Sequence, residues 1–208
     1  MCNETVNDLA TLEQIYGQPA APSVFKEVSY LHPSYRPFIE AATFAALASV
    51  GADGMDVSPR GDPAGFLHIE DEKTLLLPDR RGNNRIDSLR NILHDNRVAL
   101  LLLIPGVNET LRINGRAEIV IAPTLLQRFA HRDMLPRSVL RITVEAVFFQ
   151  CGRAILRSGL WDASTQISRQ SLPSTGTLLA EISKSSKSGF DGEQYDAELP
   201  QRLRDTLY

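Results

Sequence analysis

Two segments in the middle of the chain alternate between apolar and polar side chains. Residues 109–121 read ETLRINGRAEIVI, and residues 139–150 read VLRITVEAVFFQ. Successive side chains of a strand point to opposite faces of a sheet, so each segment predicts a strand with one buried face. The predicted buried sides comprise Leu111, Ile113, Ala117, Ile119 and Ile121 in the first segment, and Leu140, Ile142, Val144, Ala146 and Phe148 in the second.

The remaining predicted strands are short and are joined by turns. Asp53-Gly54 separates two apolar runs, which is a strong hairpin signal, and residues 98–104, VALLLLI, suit a strand covered on both faces. Strands and helices do not alternate regularly, and no G-x-G-x-x-G motif occurs, which argues against a dinucleotide-binding fold. Six or seven strands, mostly hairpin-linked, predict a closed antiparallel β-barrel with flanking helices, an α+β fold.

The length of 208 residues favours a single domain. We expect residues 1–41 to form an N-terminal helical extension, residues 42–151 the barrel core, and residues 152–208 the C-terminal helices. The longest apolar run, residues 98–104, is much shorter than the roughly 20 residues of a membrane-spanning helix. The N-terminal residues have neither the basic nor the apolar part of a signal peptide, so the expected location is the cytoplasm.

Charge and composition exclude some classes of function. The net charge of −3 and the pI near 5.8 argue against a nucleic-acid-binding protein, which needs a basic face. Arginine supplies 18 of the 22 basic residues, and its planar guanidinium suits phosphate and carboxylate recognition. The histidines, His32, His68, His94 and His131, lack metal-ligand spacing, so no metal site is predicted.

The two cysteines and the known nucleophile motifs give no catalytic group. Cys2 and Cys151 do not form a redox or zinc pair, and we expect Cys151 to be a small buried residue at the end of a strand. No G-x-S-x-G elbow occurs. Catalytic residues therefore stay unknown.

Residues 78–92, PDRRGNNRIDSLRNI, concentrate hydrogen-bond donors between a predicted strand and a predicted helix. We expect Asn84 to be the N-cap, Arg85 to begin the helix and Asp87 to complete a capping box, with Ile86, Leu89 and Leu93 on one face. A helix N-terminus beside Arg80, Arg81 and Arg85 predicts a phosphate site. In the alternative interpretation the asparagines only cap, the glycine turns and the arginines are solvated.

A further arginine lies at the end of an earlier predicted strand. Arg60 is followed by Gly61, and a strand-end arginine before a glycine turn is well placed to point into a cleft. The alternative is a surface cation paired with Asp62.

Four ordered blocks resemble the FMN-binding split-barrel superfamily related to pyridoxamine 5′-phosphate oxidase. They are MDVSPRGDPAGF, TLLLPDRRGNNRIDSLRNIL, VALLLLIPGVNETLRINGRAEI and FFQCGRAILRSGLW. Within the superfamily, the chain is similar to a bacterial group of probable FMN-dependent enzymes of unassigned substrate. The resemblance runs from about residue 30 to the end. It implies one FMN-binding split-barrel domain over residues 1–208.

The resemblance also implies a set of cofactor-binding residues. Asn83, Asn84 and Arg85 occupy the place where the oxidases bind the FMN phosphate, and Thr110 stands where they carry a glutamine near the ring. In such proteins the cofactor lies at a homodimer interface. The implied residues along the flavin are Ser58, Arg60, Pro78 and Asp79, and those completing the partner's site are Arg153, Arg157 and Trp161. For Trp161, packing within its own chain is an equal alternative.

The functional expectation is a probable FMN-dependent oxidoreductase that transfers a hydride between bound FMN and a small unknown substrate or a nicotinamide. Arg60 is the candidate for stabilising negative charge on the ring. Vitamin B6 oxidation is not favoured, because the C-terminal segment has Arg202 and Arg204 but no histidine after His131. The alternative is a non-catalytic split-barrel module that binds flavin or haem.

Overall fold

One antiparallel sheet of seven strands organises the chain. In the computed structural model, which describes residues 5–184 and 189–208, every strand pairing is antiparallel. This confirms the predicted antiparallel split barrel of six or seven strands with flanking helices. The strands are β1 (Phe44–Gly51), β2 (Gly54–Gly61), β3 (His68–Ile69), β4 (Thr74–Asp79), β5 (Arg97–Leu103), β6 (Thr110–Val120) and β7 (Ser138–Gln150).

The sheet is not closed, so the expectation of a closed barrel is wrong. The strand order is β2-β1-β5-β6-β7-β4-β3, and the two edge strands, β2 and β3, do not pair with each other within the described residues. β3 has only two residues. Pro59 on β2 has no N–H group to donate to a further strand, as is usual for proline in an edge strand. The barrel is therefore split between these two edges.

Helices flank the sheet, and two of them, in chain order, lie between strands. None of those in the described parts of the chain is long and apolar enough to cross a membrane. Three precede β1, one follows β4, one follows β6 and three follow β7: α1 (Leu9–Tyr16), α2 (Ala21–Phe25), α3 (Arg36–Ala41), α4 (Asp87–His94), α5 (Pro123–Arg128), α6 (Arg153–Ser158), α7 (Thr175–Ser183) and α8 (Gly192–Asp205).

The apolar interior of the sheet is the main core. Leu47 on β1, Leu100 on β5 and Ile113 on β6 are almost completely buried, and Ile39 of α3 and Ile92 of α4 join the same cluster. Burying a side chain of this size contributes about 1.5–3 kcal/mol relative to leaving it exposed. The core fixes the curvature of the sheet, and with it the position of the strand ends that form the cavity described below.

The predicted alternation of buried and exposed side chains is confirmed in β6 from Leu111 to Ala117. In β7 it is confirmed only as far as Val144, after which the buried side chains fall one position later than predicted. β7 carries a β-bulge at Glu145, because the consecutive residues Asn114 and Gly115 of β6 are opposite Ala146 and Val144. The fully buried residue beyond the bulge is consequently Val147, in place of the predicted Ala146 and Phe148. Ile121, predicted to be buried, lies beyond the end of β6 and is 70% exposed.

Candidate functional site

A cavity of about 640 Å³ opens where the ends of β2 and β4 meet the start of α4 and the start of β7. This size falls within the range of about 300–1,000 Å³ that is usual for ligand and cofactor pockets. We call it the main cavity. It is lined by 56–62, Phe66, 77–89, Arg137, Ser138, Leu207 and Tyr208. Seven of the predicted cofactor residues are brought together here: Ser58, Arg60, Pro78, Asp79, Asn83, Asn84 and Arg85.

Arg60 lies in the wall of the main cavity and is mostly buried. Its Nη1 donates to Asp79 Oδ1 at 2.5 Å, and the two side chains are only 17% and 16% exposed. The alternative interpretation of Arg60, a surface cation paired with Asp62, is therefore wrong. Its Nε is buried without a hydrogen-bond partner, as is Ser138 Oγ nearby. Unmade hydrogen bonds of this kind are rare in folded proteins and often mark functional positions.

Asp62 binds a different arginine. Arg80 Nε donates to Asp62 Oδ2 at 2.7 Å, and Arg80 Nη1 donates to the carbonyl oxygen of Phe129 at 2.7 Å. The Asp62 carboxylate also accepts from the Tyr208 phenol at 3.0 Å. This second bond raises the pKa of Tyr208, because the neighbouring carboxylate disfavours the phenolate. Asp62, with only 5% of its side chain exposed, therefore holds Arg80 and Tyr208 in fixed positions.

The predicted start of the helix after β4 is wrong by two residues. α4 begins at Asp87, and its N-cap is Ile86, whose side chain makes no capping hydrogen bond. Asn84 does not cap the helix because its backbone is left-handed, with φ of 61°, and its Oδ1 accepts from Arg137 Nη1 at 2.9 Å. The predicted apolar face of the helix is also wrong. Leu93, which was predicted to lie on that face, is 80% exposed, and the buried residues of α4 are Ser88 and Ile92.

The loop before α4 holds its backbone in an unusual conformation. Ile86 has φ of 55° and ψ of 24°, a left-handed geometry that β-branched residues rarely adopt. The N–H of Arg85 is bonded to Asn83 Oδ1 at 3.0 Å, and Arg85 Nε to Asp87 Oδ2 at 2.7 Å. The first N–H groups of α4 stay without a side-chain cap at the cavity wall. Strained backbone and open helix N–H groups together are typical of anion-binding sites.

The arginines of the main cavity are only partly neutralised. Three ion pairs involve Arg60, Arg80 and Arg85. Arg137 is hydrogen-bonded to an amide oxygen, and Arg81 has no side-chain partner among the described residues. The fourth aspartate of the wall, Asp56, accepts from Ser88 Oγ at 3.3 Å. Excess positive charge therefore collects around Arg81 and Arg137.

The other predicted cofactor residues lie outside the main cavity. Thr110 begins β6 opposite Gln150, and Arg153 and Arg157 are on α6. Trp161 is half-buried and donates from Nε1 to the carbonyl oxygen of Val107 at 2.7 Å, which is packing within its own chain. Whether these residues complete a partner's site stays a prediction.

Cys151 is exposed, so the expectation of a buried residue is wrong. It comes directly after the end of β7, where the sheet no longer covers it. The backbone N–H of Arg153 and the charges of Arg153 and Lys26 lower the pKa of the Cys151 thiol, since they stabilise the thiolate. Cys2 lies outside the described residues.

Arg137, Ser138 and Tyr208 line the main cavity, and none of them was predicted as a site residue. Arg80 and Arg81, which were predicted for the phosphate site but not among the cofactor residues implied by the resemblance, also line the main cavity. Arg137 and Ser138 precede a predicted strand and carry no local motif. Tyr208 bonds Asp62 from 146 positions away along the chain, which only the tertiary structure reveals.

An open antiparallel barrel with an arginine-lined cavity at its split is the architecture of a flavin-binding split barrel. The model of the pyridoxamine 5′-phosphate oxidase family matches residues 31–151, more than half of the chain. The protein belongs to this family, whose members commonly bind flavin. No curated protein matches the sequence.

Several solved structures resemble the chain weakly. HupZ from Group A Streptococcus is 19% identical, with 58% of this chain and 94% of that chain covered and a TM-score of 0.48. General stress protein 26 from Bacillus anthracis str. Sterne is 16% identical, with 55% and 88% covered and a TM-score of 0.42. A protein from Clostridium acetobutylicum related to general stress protein 26 is 13% identical, with 57% and 86% covered and a TM-score of 0.44. These similarities are too weak to carry a functional argument.

Proposed function

We propose that the protein binds FMN in the main cavity and acts as an FMN-dependent oxidoreductase on a small molecule. The observation that carries the proposal is the position of Arg137 and Asn84, bonded to each other at 2.9 Å beside the uncapped start of α4. A guanidinium without a carboxylate partner and open helix N–H groups suit a phosphate ester. The membership of a flavin-binding family supports the choice of FMN as that ester.

The residues divide into two groups in this proposal. Asn83, Asn84, Arg85 and Arg137 would bind the phosphate at the end of the main cavity formed by α4. The opposite end would hold the ring, along a wall that comprises Ser58, Arg60, Pro78 and Asp79. Bound FMN supplies a ring that accepts and returns a hydride.

Arg60 is the residue best suited to stabilise negative charge on the ring. Asp79 fixes its guanidinium in one orientation through Nη1, and its Nε has no partner within the described residues. A donor that is already oriented loses little entropy when charge develops beside it. The carboxylate next to Arg60, Asp79, is paired with its guanidinium, and hydride transfer to a flavin does not strictly require a general acid or base.

We also propose that the protein works in the cytoplasm as a homodimer in which Arg153, Arg157 and Trp161 reach the partner's cofactor. The apolar side of β6 gives no support to this proposal, because Leu111 and Ile113 are buried in the core of their own chain. The location of α6 outside the main cavity leaves its arginines available to a second copy. Sedimentation as a monomer that retains stoichiometric FMN would contradict this arrangement.

Absorbance and reduction of the purified protein test the main proposal. We expect a yellow protein that releases FMN on denaturation, and whose bound flavin is reduced by NADH or NADPH and reoxidised in air. A bound flavin that stays oxidised with every reductant would favour the non-catalytic module. The haem version of that module has less support, because the described wall has no histidine, cysteine or methionine and its tyrosine is bonded to Asp62.

A further inference from the structure

A smaller pocket of about 130 Å³ adjoins the main cavity. We call it the side pocket. It shares Arg80, Arg81, Arg137 and Tyr208 with the main cavity, and its own walls are Met134, Leu135 and Pro136. The side pocket therefore combines arginines with an otherwise apolar lining, and it opens next to the place proposed for the cofactor.

One guanidinium of the side pocket is not engaged. Arg80 is bonded to Asp62 and to the carbonyl oxygen of Phe129, and Arg137 is bonded to Asn84. Arg81 has neither a hydrogen bond nor an ion pair with any residue that the structure describes. A ligand in the side pocket would thus meet Arg81, which has no partner among these residues, and Arg137, whose positive charge no carboxylate neutralises.

The remaining walls favour a molecule with an apolar body. Met134 and Leu135 are about half exposed at the pocket, while the Tyr208 ring is held in place by stacking on His131 at 4.0 Å between centroids. The turn that carries Met134 is fixed by reciprocal backbone hydrogen bonds between His131 and Met134, both at 2.9 Å. Apolar walls with one oriented charged group are typical of sites for small organic ligands.

We propose that the side pocket binds the carboxylate of a small monoanionic molecule with an apolar body, and that this molecule is the substrate. Arg137 is the residue proposed for the FMN phosphate, which leaves Arg81 for a ligand of the side pocket. One guanidinium pairs with one carboxylate through two parallel hydrogen bonds, whereas a dianionic phosphate would need a second cation. The volume of the side pocket limits the apolar part to a single small ring or branched chain. The substrate role and the preference for a single carboxylate rest on the proposed flavin function, whereas the binding of an anion at Arg81 does not.

Methyl NMR of methionine can test this proposal with benzoate as the probe. The chain has three methionines, of which Met134 lines the side pocket and Met55 is 81% exposed on β2. In FMN-loaded protein with labelled methionine methyl groups, benzoate should shift the Met134 signal saturably and leave the Met55 signal unchanged. The Met134→Leu variant assigns the signal. Benzamide, which has nearly the same shape but no charge, should bind at least about tenfold more weakly.

Two matched variants identify the charged group. Arg81→Ala should weaken benzoate binding at least about tenfold, whereas Arg90→Ala, which removes an exposed arginine of α4 outside both pockets, should not. A Met134 signal that does not respond to benzoate would overturn the proposal. So would equal binding of benzamide, or unchanged binding by Arg81→Ala. Tighter binding of phenyl phosphate than of benzoate would overturn the choice of a carboxylate.

Failure of this proposal can be distinguished from failure of the flavin function. Flavin absorbance in the same sample shows whether FMN is bound. If FMN does not bind, the response of Met134 to benzoate in the ligand-free protein still tests the side pocket. If FMN binds and benzoate does not, the proposed flavin function stands and only the side-pocket proposal is removed.

Discussion

Arg60 on β2 and Asp79 on β4 form an ion pair across the split of the barrel, with 2.5 Å between Nη1 and Oδ1. β2 is one edge of the sheet, and β4 is next to the other edge, separated from β2 by four strands in the sheet order. The pair therefore joins two parts of the sheet that backbone hydrogen bonds leave apart. Both residues lie in the wall of the main cavity, so the same contact stabilises the fold and shapes the site.

The first prediction concerns this ion pair. Arg60→Ala should lower the free energy of unfolding by about 1–3 kcal/mol, because it leaves Asp79 mostly buried without its partner. Urea denaturation measures the change. The matched control is Arg97→Ala, which removes an arginine paired with Asp95 at the surface and should have little effect. An equal decrease in the free energy of unfolding of the two variants would show that the burial of the Arg60–Asp79 pair does not contribute to stability.

The second prediction concerns the proposed phosphate end of the main cavity. Arg137→Ala should weaken FMN binding at least about tenfold and reduce its dependence on salt, since a charge-assisted bond to the phosphate is lost. Arg85→Ala should weaken binding less, because Arg85 is 74% exposed and already paired with Asp87. Quenching of FMN fluorescence gives the affinities, and Arg90→Ala is the control. An unchanged affinity in Arg137→Ala would remove that residue from the site.

The third prediction concerns the strained backbone of Ile86. Ile86→Gly should raise the free energy of unfolding by about 0.5–1 kcal/mol, because glycine adopts the left-handed conformation without the clash of a β-branched side chain. Thermal or urea denaturation tests this. Ile121→Gly is the control: Ile121 is likewise exposed but its φ is not positive, so this variant should be destabilised. A loss of stability in Ile86→Gly similar to the control would mean that no strain is stored there.

The fourth prediction concerns Gly115 of β6, which lies next to the bulge of β7. A Cβ atom at Gly115 would lie 2.3 Å from the carbonyl oxygen of Thr143 on β7, so Gly115→Ala should lower the free energy of unfolding by at least about 2 kcal/mol. Gly82→Ala is the control, since nothing lies within 4 Å of its Cβ position. It should change stability by less than about 0.5 kcal/mol. Similar stabilities of the two variants would contradict the close approach of the strands.

The fifth prediction concerns pH. The Asp62 carboxylate raises the pKa of Tyr208 above its usual value of 10, so the folded protein holds the phenol proton more tightly than the unfolded chain. This contribution to stability is complete below pH 10 and is lost as the pH rises through the folded pKa. Tyr208→Phe keeps the ring but removes the hydrogen bond. The difference in stability between wild type and Tyr208→Phe should therefore shrink at alkaline pH, and a constant difference would contradict the bond.

Local patterns of apolar and polar residues were sufficient to predict much of the sheet. The alternation of residues 109–121 predicted β6 because one face of that strand packs on the core along most of its length. The phase of β7 was predicted only as far as Val144, because a bulge adds one residue to one strand and no local pattern marks it. The cap of α4 was missed for a similar reason, since a tertiary contact with Arg137 holds Asn84 in a conformation that does not cap a helix.

Side-chain period, turn residues and charge are local properties of the chain, so the antiparallel strands, the flanking helices and the donor-rich loop after β4 could be predicted from the order of the amino acids. Three further features became evident from the folded chain: the sheet stays open, Arg60 binds Asp79 in preference to Asp62, and Arg137 and Tyr208 line the main cavity. These features depend on side chains separated by 19 to 146 positions. Their distances are set by the packing of the core, which no single segment encodes.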